Sequence, residues 1–274
     1  MPGEPSLKSQ EDFCAISHGL KIKNSKLLIA VVLVLAGFIA SFGQAWAGKK
    51  FKVAIDIGHL PQDVGTRSAR NRPEYGFNRK MAFQVFRKLK KDPRLDVIIM
   101  NPEGKNISPA ARIEMINAAG PDLLISIHHD SVQPVYLSEW TWKGAQAFFC
   151  DRYRGYSIFI SEKNVRRDLS RSFAIALGNE LRKSGLLPSL HHAEQISGED
   201  KKPIDRQAGV YRFDGLSLLG KVICPAVLLE CGVIRNRSEE TLLRSRAYQR
   251  RIAGAIASAV SGFLSRGDTE TRTR

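Results

Sequence analysis

Phe51-Lys52-Val53-Ala54-Ile55-Asp56-Ile57-Gly58-His59 is a short apolar run that closes on a glycine and a histidine. It reads as a buried β-strand with a polar group delivered at its carboxyl end. Two later runs repeat the pattern. Asp122 to Ile127 ends in His128-His129-Asp130, and Pro225 to Leu229 ends in Glu230. Between them the hydrophobic period switches to that of helices. Asn78 to Lys91 places Ala82, Val85, Phe86 and Leu89 on one face. Leu95 to Met100 is a further strand. Ser108-Pro109 is an N-cap followed by proline at the first helical position, and Gly120 stops that helix. Gly144 to Cys150 and Tyr156 to Ile160 are weaker strands. Ser161 to Ser184 reads as a long helix closed by Gly185, Leu186 to Gln207 as polar and irregular, and Asn236 to about Arg266 as helical. Strands alternating with helices predict a single α/β domain, a mostly parallel twisted sheet flanked by helices. In such folds ligands bind beyond the carboxyl ends of the strands.

Composition sets the surroundings of this domain. The chain has 274 residues and a net charge of +15. The first 48 carry four lysines and three acids, so the remainder keeps +14. Such a balance favours anionic partners: nucleic acid, a membrane surface or a polyanionic wall. Leu27 to Gly48 has no charged residue, follows Lys21, Lys23 and Lys26, and ends near Ala45-Trp46-Ala47, a small-x-small cleavage site. Residues 1–48 are therefore read as a signal peptide, with an uncleaved anchor as the alternative. Residues 49–267 form the folded domain, and residues 268–274 a flexible tail. Export argues against a nucleic-acid partner, and no aromatic-basic strand motif is present. Of four cysteines, Cys150, Cys224 and Cys231 survive cleavage. An odd number cannot all pair within one chain, so no disulfide framework is expected.

A hydrolytic zinc site needs three protein ligands and one open position for water. Two histidines and one carboxylate suit zinc, and a separate carboxylate must carry the proton from water to leaving group. His59, Glu74 and His128 can supply the first set, with Glu230 as the base. On chemistry alone each remains open to a plainer reading as a strand-end capping or core residue.

Four blocks taken in order resemble the zinc-dependent N-acetylmuramoyl-L-alanine amidases of the bacterial cell wall, the amidase 3 family. Val53 to His59 is similar to a first block that ends in Asp-Pro-Gly-His. Glu74 stands 15 residues after His59, where the family places its carboxylate ligand, with Asn78 in the following helix. Arg112, Asn117 and Leu124-Ile125-Ser126-Ile127-His128 resemble the third block. Pro225 to Asn236 resembles the fourth, a Glu-x-Gly-x-x-x-Asn pattern carrying Glu230. The resemblance spans about residues 51 to 265. It implies one zinc per chain on His59, Glu74 and His128 at the carboxyl ends of strands, with Glu230 as base and then acid. The implied reaction is cleavage of the amide between N-acetylmuramic acid and L-alanine, in the periplasm or the secreted cell-wall space. Peptidoglycan and the anionic envelope would be the partners, with any protein regulator unidentified.

Departures from the family lie near the expected metal. Ile57 stands where proline is usual, Leu60 to Gly65 replaces a glycine-rich stretch, and His129 replaces a small residue. A blocking helix found in tightly controlled family members is not expected between Phe149 and Ser161. Asp56 is expected either to orient His59 or to bond backbone at the strand end. His129 and Asp130 are expected to face solvent beside a ligand, with substrate contact as the alternative, and His191 and His192 to form an exposed loop pair, with a reach into the site as the alternative. Arg206 and Arg212 read as solvated surface, and Cys231 as core. Two alternatives remain: a zinc amidohydrolase or peptidase acting on a different peptide, and a non-catalytic wall-binding protein of the same fold.

Overall fold

A computed structural model describes residues 49–272. The expected signal peptide lies outside them. A seven-stranded sheet runs through the domain in the order β2-β1-β3-β9-β6-β8-β7. Its strands are β1 (Phe51–Ile57), β2 (Leu95–Met100), β3 (Leu123–Asp130), β6 (Ser157–Ile160), β7 (Lys202–Asp205), β8 (Val210–Arg212) and β9 (Ala226–Val233). β1 pairs in parallel with β2 and β3, β3 with β9, and β6 with β8. The β6–β9 and β7–β8 pairs are antiparallel. The sheet is thus mostly parallel, as the alternation of strands and helices requires.

Strand alternation sorts the side chains into two cores. Val53, Ile55 and Ile57 of β1 face one side with Leu123, Ile125 and Ile127 of β3 and Val227, Leu229 and Cys231 of β9. Helices α1 (Glu74–Leu89), α3 (Arg167–Lys183) and α6 (Arg246–Arg272) cover that side, packing Phe77, Phe173 and Ile256 among others against it. Ala54, Leu124, Ala226 and Leu228 face the opposite side, under α2 (Pro109–Ala119) and α4 (Ser217–Lys221). Asp56, Ser126, His128 and Glu230 continue this second register beyond its apolar residues. The candidate site residues Asp56, His128 and Glu230 therefore lie on the more thinly covered face, at the strand ends.

Several elements differ from the sequence reading. α1 begins at Glu74, four residues before Asn78, because the extended Pro73 (φ −61°, ψ 137°) starts it and an acid in its first turn complements the helix dipole. α3 begins at Arg167 rather than Ser161. In the turn before it, the Asn164 side chain donates to the carbonyls of Leu219, Val222 and Cys224. The helix expected from Asn236 is two: α5 (Arg237–Arg244), capped by Asn236, then an extended Ser245, then α6. Gly144 to Cys150 contributes β5 (Ala145–Phe149), which leaves the main sheet to pair with β4 (Ser138–Trp142). The connecting Lys143 and Gly144 both have positive φ, the backbone of a tight hairpin turn. Leu186 to Gln207 is not irregular throughout, since it holds a 3-10 turn (His191–Ala193) and strand β7.

Cys150, Cys224 and Cys231 are buried and unpaired. No helix lies between β5 and β6. Among the described residues no helix is long and apolar enough to cross a membrane.

Candidate metal centre

The centre begins at the corner where β1 ends. Gly58 passes directly beneath the His128 ring, and a Cβ added there would stand 2.4 Å from His128 Nε2. His59 then adopts φ 64°, a left-handed conformation that non-glycine residues seldom take. Arg112 of α2 holds this corner. It donates to the Ile57 carbonyl (2.9 Å), the His59 carbonyl (2.9 Å) and the Asp56 carboxylate (3.2 Å). Ser126 Oγ also donates to Asp56, at 2.7 Å. Asp56 therefore braces Arg112 and β3, not the His59 ring.

The corner and the helix start bring three donor side chains together. Glu74 Oε2 lies 3.1 Å from His59 Nε2, and its Oε1 lies 3.1 Å from His128 Nδ1. The three ligand atoms lie within 4.8 Å of one another. Further bonds fix the carboxylate from outside: Thr66 N–H to Oε2 (3.1 Å), Asn78 Nδ2 to Oε1 (2.9 Å) and the His129 N–H to Oε1 (3.3 Å). Asn78 Nδ2 also donates to the Gly58 carbonyl, tying helix to corner. Burial works to raise the Glu74 pKa, but the two imidazoles dominate and hold it far below the usual carboxylate range. Burial works to lower His59, yet the bond and charge of Glu74, helped by Asp63, leave it raised. Two imidazoles around an ionised carboxylate, oriented by outer hydrogen bonds, are a donor set that fits zinc.

Glu230 stands beside His128 in the β3–β9 register, on the same face and one strand spacing away. Its Oε2 is buried with no hydrogen-bond partner. Burial, with the charges of Asp130 and Glu74, pushes its pKa well above the usual value. An unpartnered buried carboxyl oxygen is costly, and such groups cluster where proton transfer is required.

The neighbours of the centre are not solvated, contrary to expectation. Alternation turns His129 to the opposite face of the sheet, under α1, where Nδ1 meets Asn78 Oδ1 at 2.8 Å and the ring packs on Phe77. Burial lowers its pKa to about 3. Asp130 is buried by the segment following α3. There His192 sits between two carboxylates, with Nε2 2.7 Å from Asp130 Oδ2 and Nδ1 2.8 Å from Glu199 Oε2. Burial opposes its charge, but Asp130 and Glu199 raise its pKa to about 9. His191 lies alongside, its ring centroid 3.9 Å away, so neither histidine is the exposed loop residue that its polar surroundings suggested. Asn117 lies apart from the centre. It bonds the Lys221 carbonyl and the Ile223 N–H, joining α2 to the link before β9.

Two clefts open on the centre. One, of about 700 Å³, runs between α2 and α4 past His59, Arg112, Ile107 and Leu218. The other, of about 380 Å³, is bounded by His128, Glu230, Phe159, His192, Gln133 and Lys201. Both clefts are lined by His59 and His128, so they meet at the donor set.

Residues 53–262 match the family model described as N-acetylmuramoyl-L-alanine amidase. A Haemophilus influenzae protein named a probable N-acetylmuramoyl-L-alanine amidase, AmiB, is 27% identical over 256 residues; these cover 85% of this chain and 56% of that protein. Among solved structures, the N-acetylmuramoyl-L-alanine amidase from Clostridium difficile 630 superposes with a TM-score of 0.62 at 23% identity, covering 80% of this chain and 98% of its own. The catalytic domain of the amidase CwlV from Bacillus (Paenibacillus) polymyxa gives 0.59 at 25% identity, covering 79% and 99%. With the donor set, the lone carboxyl beside it and the sheet order all on one domain, the chain belongs to the N-acetylmuramoyl-L-alanine amidase family.

Proposed function

We propose that this chain hydrolyses the amide between the lactyl group of N-acetylmuramic acid and L-alanine in peptidoglycan, with His59, Glu74 and His128 holding one zinc ion and Glu230 moving the proton. The observation that carries this reading is the buried, unpartnered Oε2 of Glu230 beside a carboxylate that bridges two imidazoles. His59, Glu74 and His128 would hold the ion, which when bound would supply Lewis-acid polarisation of the scissile carbonyl and acidify the attacking water. The remaining work belongs to the chain. Glu230 accepts the proton of the attacking water and returns it to the departing nitrogen. Its desolvated position raises its affinity for a proton and so favours the first transfer, acceptance of the proton from the attacking water. Arg112 holds the His59 corner, and Thr66, Asn78 and the His129 N–H keep Glu74 from rotating. Ile107 and Leu218 give one cleft apolar walls beside the donor set.

The same reading puts the domain outside the cytoplasm, in the periplasm or at the wall, delivered there by residues 1–48. N-terminal sequencing of the mature protein should begin after Ala47, and a chain still starting at Met1 and held in membranes would mean an anchor. Glu230→Gln is the decisive variant for the chemistry. It should keep its fold and zinc and lose at least about 100-fold in kcat on isolated peptidoglycan, within the range of acid–base catalysis. If it sheds zinc, Glu230 is a ligand. If it releases stem peptides at the parent rate, the mechanism is wrong.

A further inference from the structure

A second convergence of donor atoms lies at the end of β3, sharing no residue with the first. Asp130 Oδ2 meets His192 Nε2 at 2.7 Å and faces His191 Nε2 at 3.6 Å. All three groups are buried, and their ligand atoms lie within 4.8 Å of one another. His191 is 1% exposed, and its Nε2 has no hydrogen-bond partner.

The outward atoms of the same three groups are all engaged. His192 Nδ1 lies 2.8 Å from Glu199 Oε2, His191 Nδ1 lies 2.8 Å from Ser189 Oγ, and Asp130 Oδ1 accepts the Ser131 N–H at 2.8 Å. Outer atoms held by hydrogen bonds, with inner atoms left to converge, is the arrangement that orients metal-binding imidazoles. Ligands about 2.0 Å from a tetrahedral zinc stand roughly 3.3 Å from one another. The two separations from Asp130 Oδ2 fall on either side of that value.

We propose that Asp130, His191 and His192 form a second site for a divalent transition metal of the zinc class. Two imidazoles and one carboxylate suit such an ion better than calcium or magnesium, which prefer all-oxygen shells. Asp130 and His192 border the smaller cleft, which provides the entry path. Binding of the ion would release any proton carried by the two Nε2 atoms that face Asp130. The site ties the segment from Ser189 to Glu199, one wall of that cleft, to the end of β3. It therefore holds the shape of the cleft without taking part in the transfer at Glu230. The competing arrangement is a clasp with no ion, in which His192 stays a cation between two carboxylates.

The test is zinc stoichiometry of the whole mature chain, loaded with zinc, freed of excess and weighed by native mass spectrometry. The wild type should hold two ions, and His191→Ala and His128→Ala one each. Cobalt-loaded His128→Ala should absorb in the visible, and the double variant should not. One ion in the wild type, lost in His128→Ala, overturns the proposal in favour of the clasp. Two ions retained in His191→Ala would also overturn it. A single ion lost in His191→Ala but kept in His128→Ala would leave this site standing and remove the first. The wild-type count needs no variant, and should His191→Ala fail to fold by circular dichroism, His192→Gln takes its place.

Discussion

Replacing Gly58 by alanine tests how the metal centre is built with one methyl group. The backbone at Gly58 is not in the left-handed region, so alanine meets no torsional objection there. The conflict is steric. The new Cβ would stand 2.4 Å from His128 Nε2 and 2.5 Å from its Cδ2 and Cε1, against 3.4–4 Å for ordinary contact. The ring must retreat by about 1 Å, whereas metal–ligand distances tolerate about 0.2 Å. Zinc affinity should fall by at least about 10–100-fold, the loss typical when supports of a ligand are disturbed. Overpacking should add about 1–3 kcal/mol of destabilisation in the metal-free chain. Competition with a chromophoric chelator reads the affinity, and urea unfolding of the metal-free protein reads the stability. Zinc binding within twofold of wild type would refute the claim that Gly58 seats the His128 ring. Gly76→Ala in α1 is the control. Its Cβ would meet nothing within 4 Å, so it should leave zinc binding unchanged and stabilise by about 0.5–1 kcal/mol.

Gly178→Ala should destabilise by about 1–3 kcal/mol in urea despite better helix propensity, because its Cβ would stand 2.1 Å from the Ala208 carbonyl oxygen. A stabilised Gly178→Ala would mean that α3 and the β7–β8 loop are free to separate. Ser108→Ala removes the side-chain cap on Ala111 N–H and should cost about 1 kcal/mol without altering zinc content. Sedimentation of the mature domain with purified cell wall should weaken as salt rises, because its +14 charge is screened beyond about 8 Å at physiological ionic strength. Binding unaffected by salt would assign retention to the clefts.

The parts legible in the sequence are those set by local pattern. The apolar runs before His59, His128 and Glu230 fix their strands, and period-two alternation puts His128 and Glu230 on a common face once those strands pair. Cys231 follows as core by the same rule, and it is fully buried. Alternation also held the signal for His129, which the rule sends beneath α1 while His128 faces the cleft. What could not be read locally was the burial of Asp130, His191 and His192. Their environment is made by a segment that returns from far along the chain, and a polar stretch with two histidines looks the same whether it is solvated or folded over a strand end. The β4–β5 hairpin was missed for a related reason: Ala145 to Phe149 has strand composition, but the partner that draws it from the main sheet is chosen by the Lys143-Gly144 turn. The start of α1 at Glu74 was hidden in a loop-like stretch, though Pro73 followed by an acid is a helix-start signal.

The position of β9 has a consequence in time. β9 lies between β3 and β6, in the middle of the sheet, yet it is the last strand to be synthesised. Until it arrives, β3 has an open edge where its neighbour belongs, and the long-range pairing that closes the sheet cannot form. Glu230 travels on that late strand. A nascent chain carries His59, Glu74 and His128 before it carries Glu230. On the proposed roles, a domain whose β9 has yet to be made holds the donor set without the carboxyl that moves the proton, so hydrolytic power would arrive only with that strand.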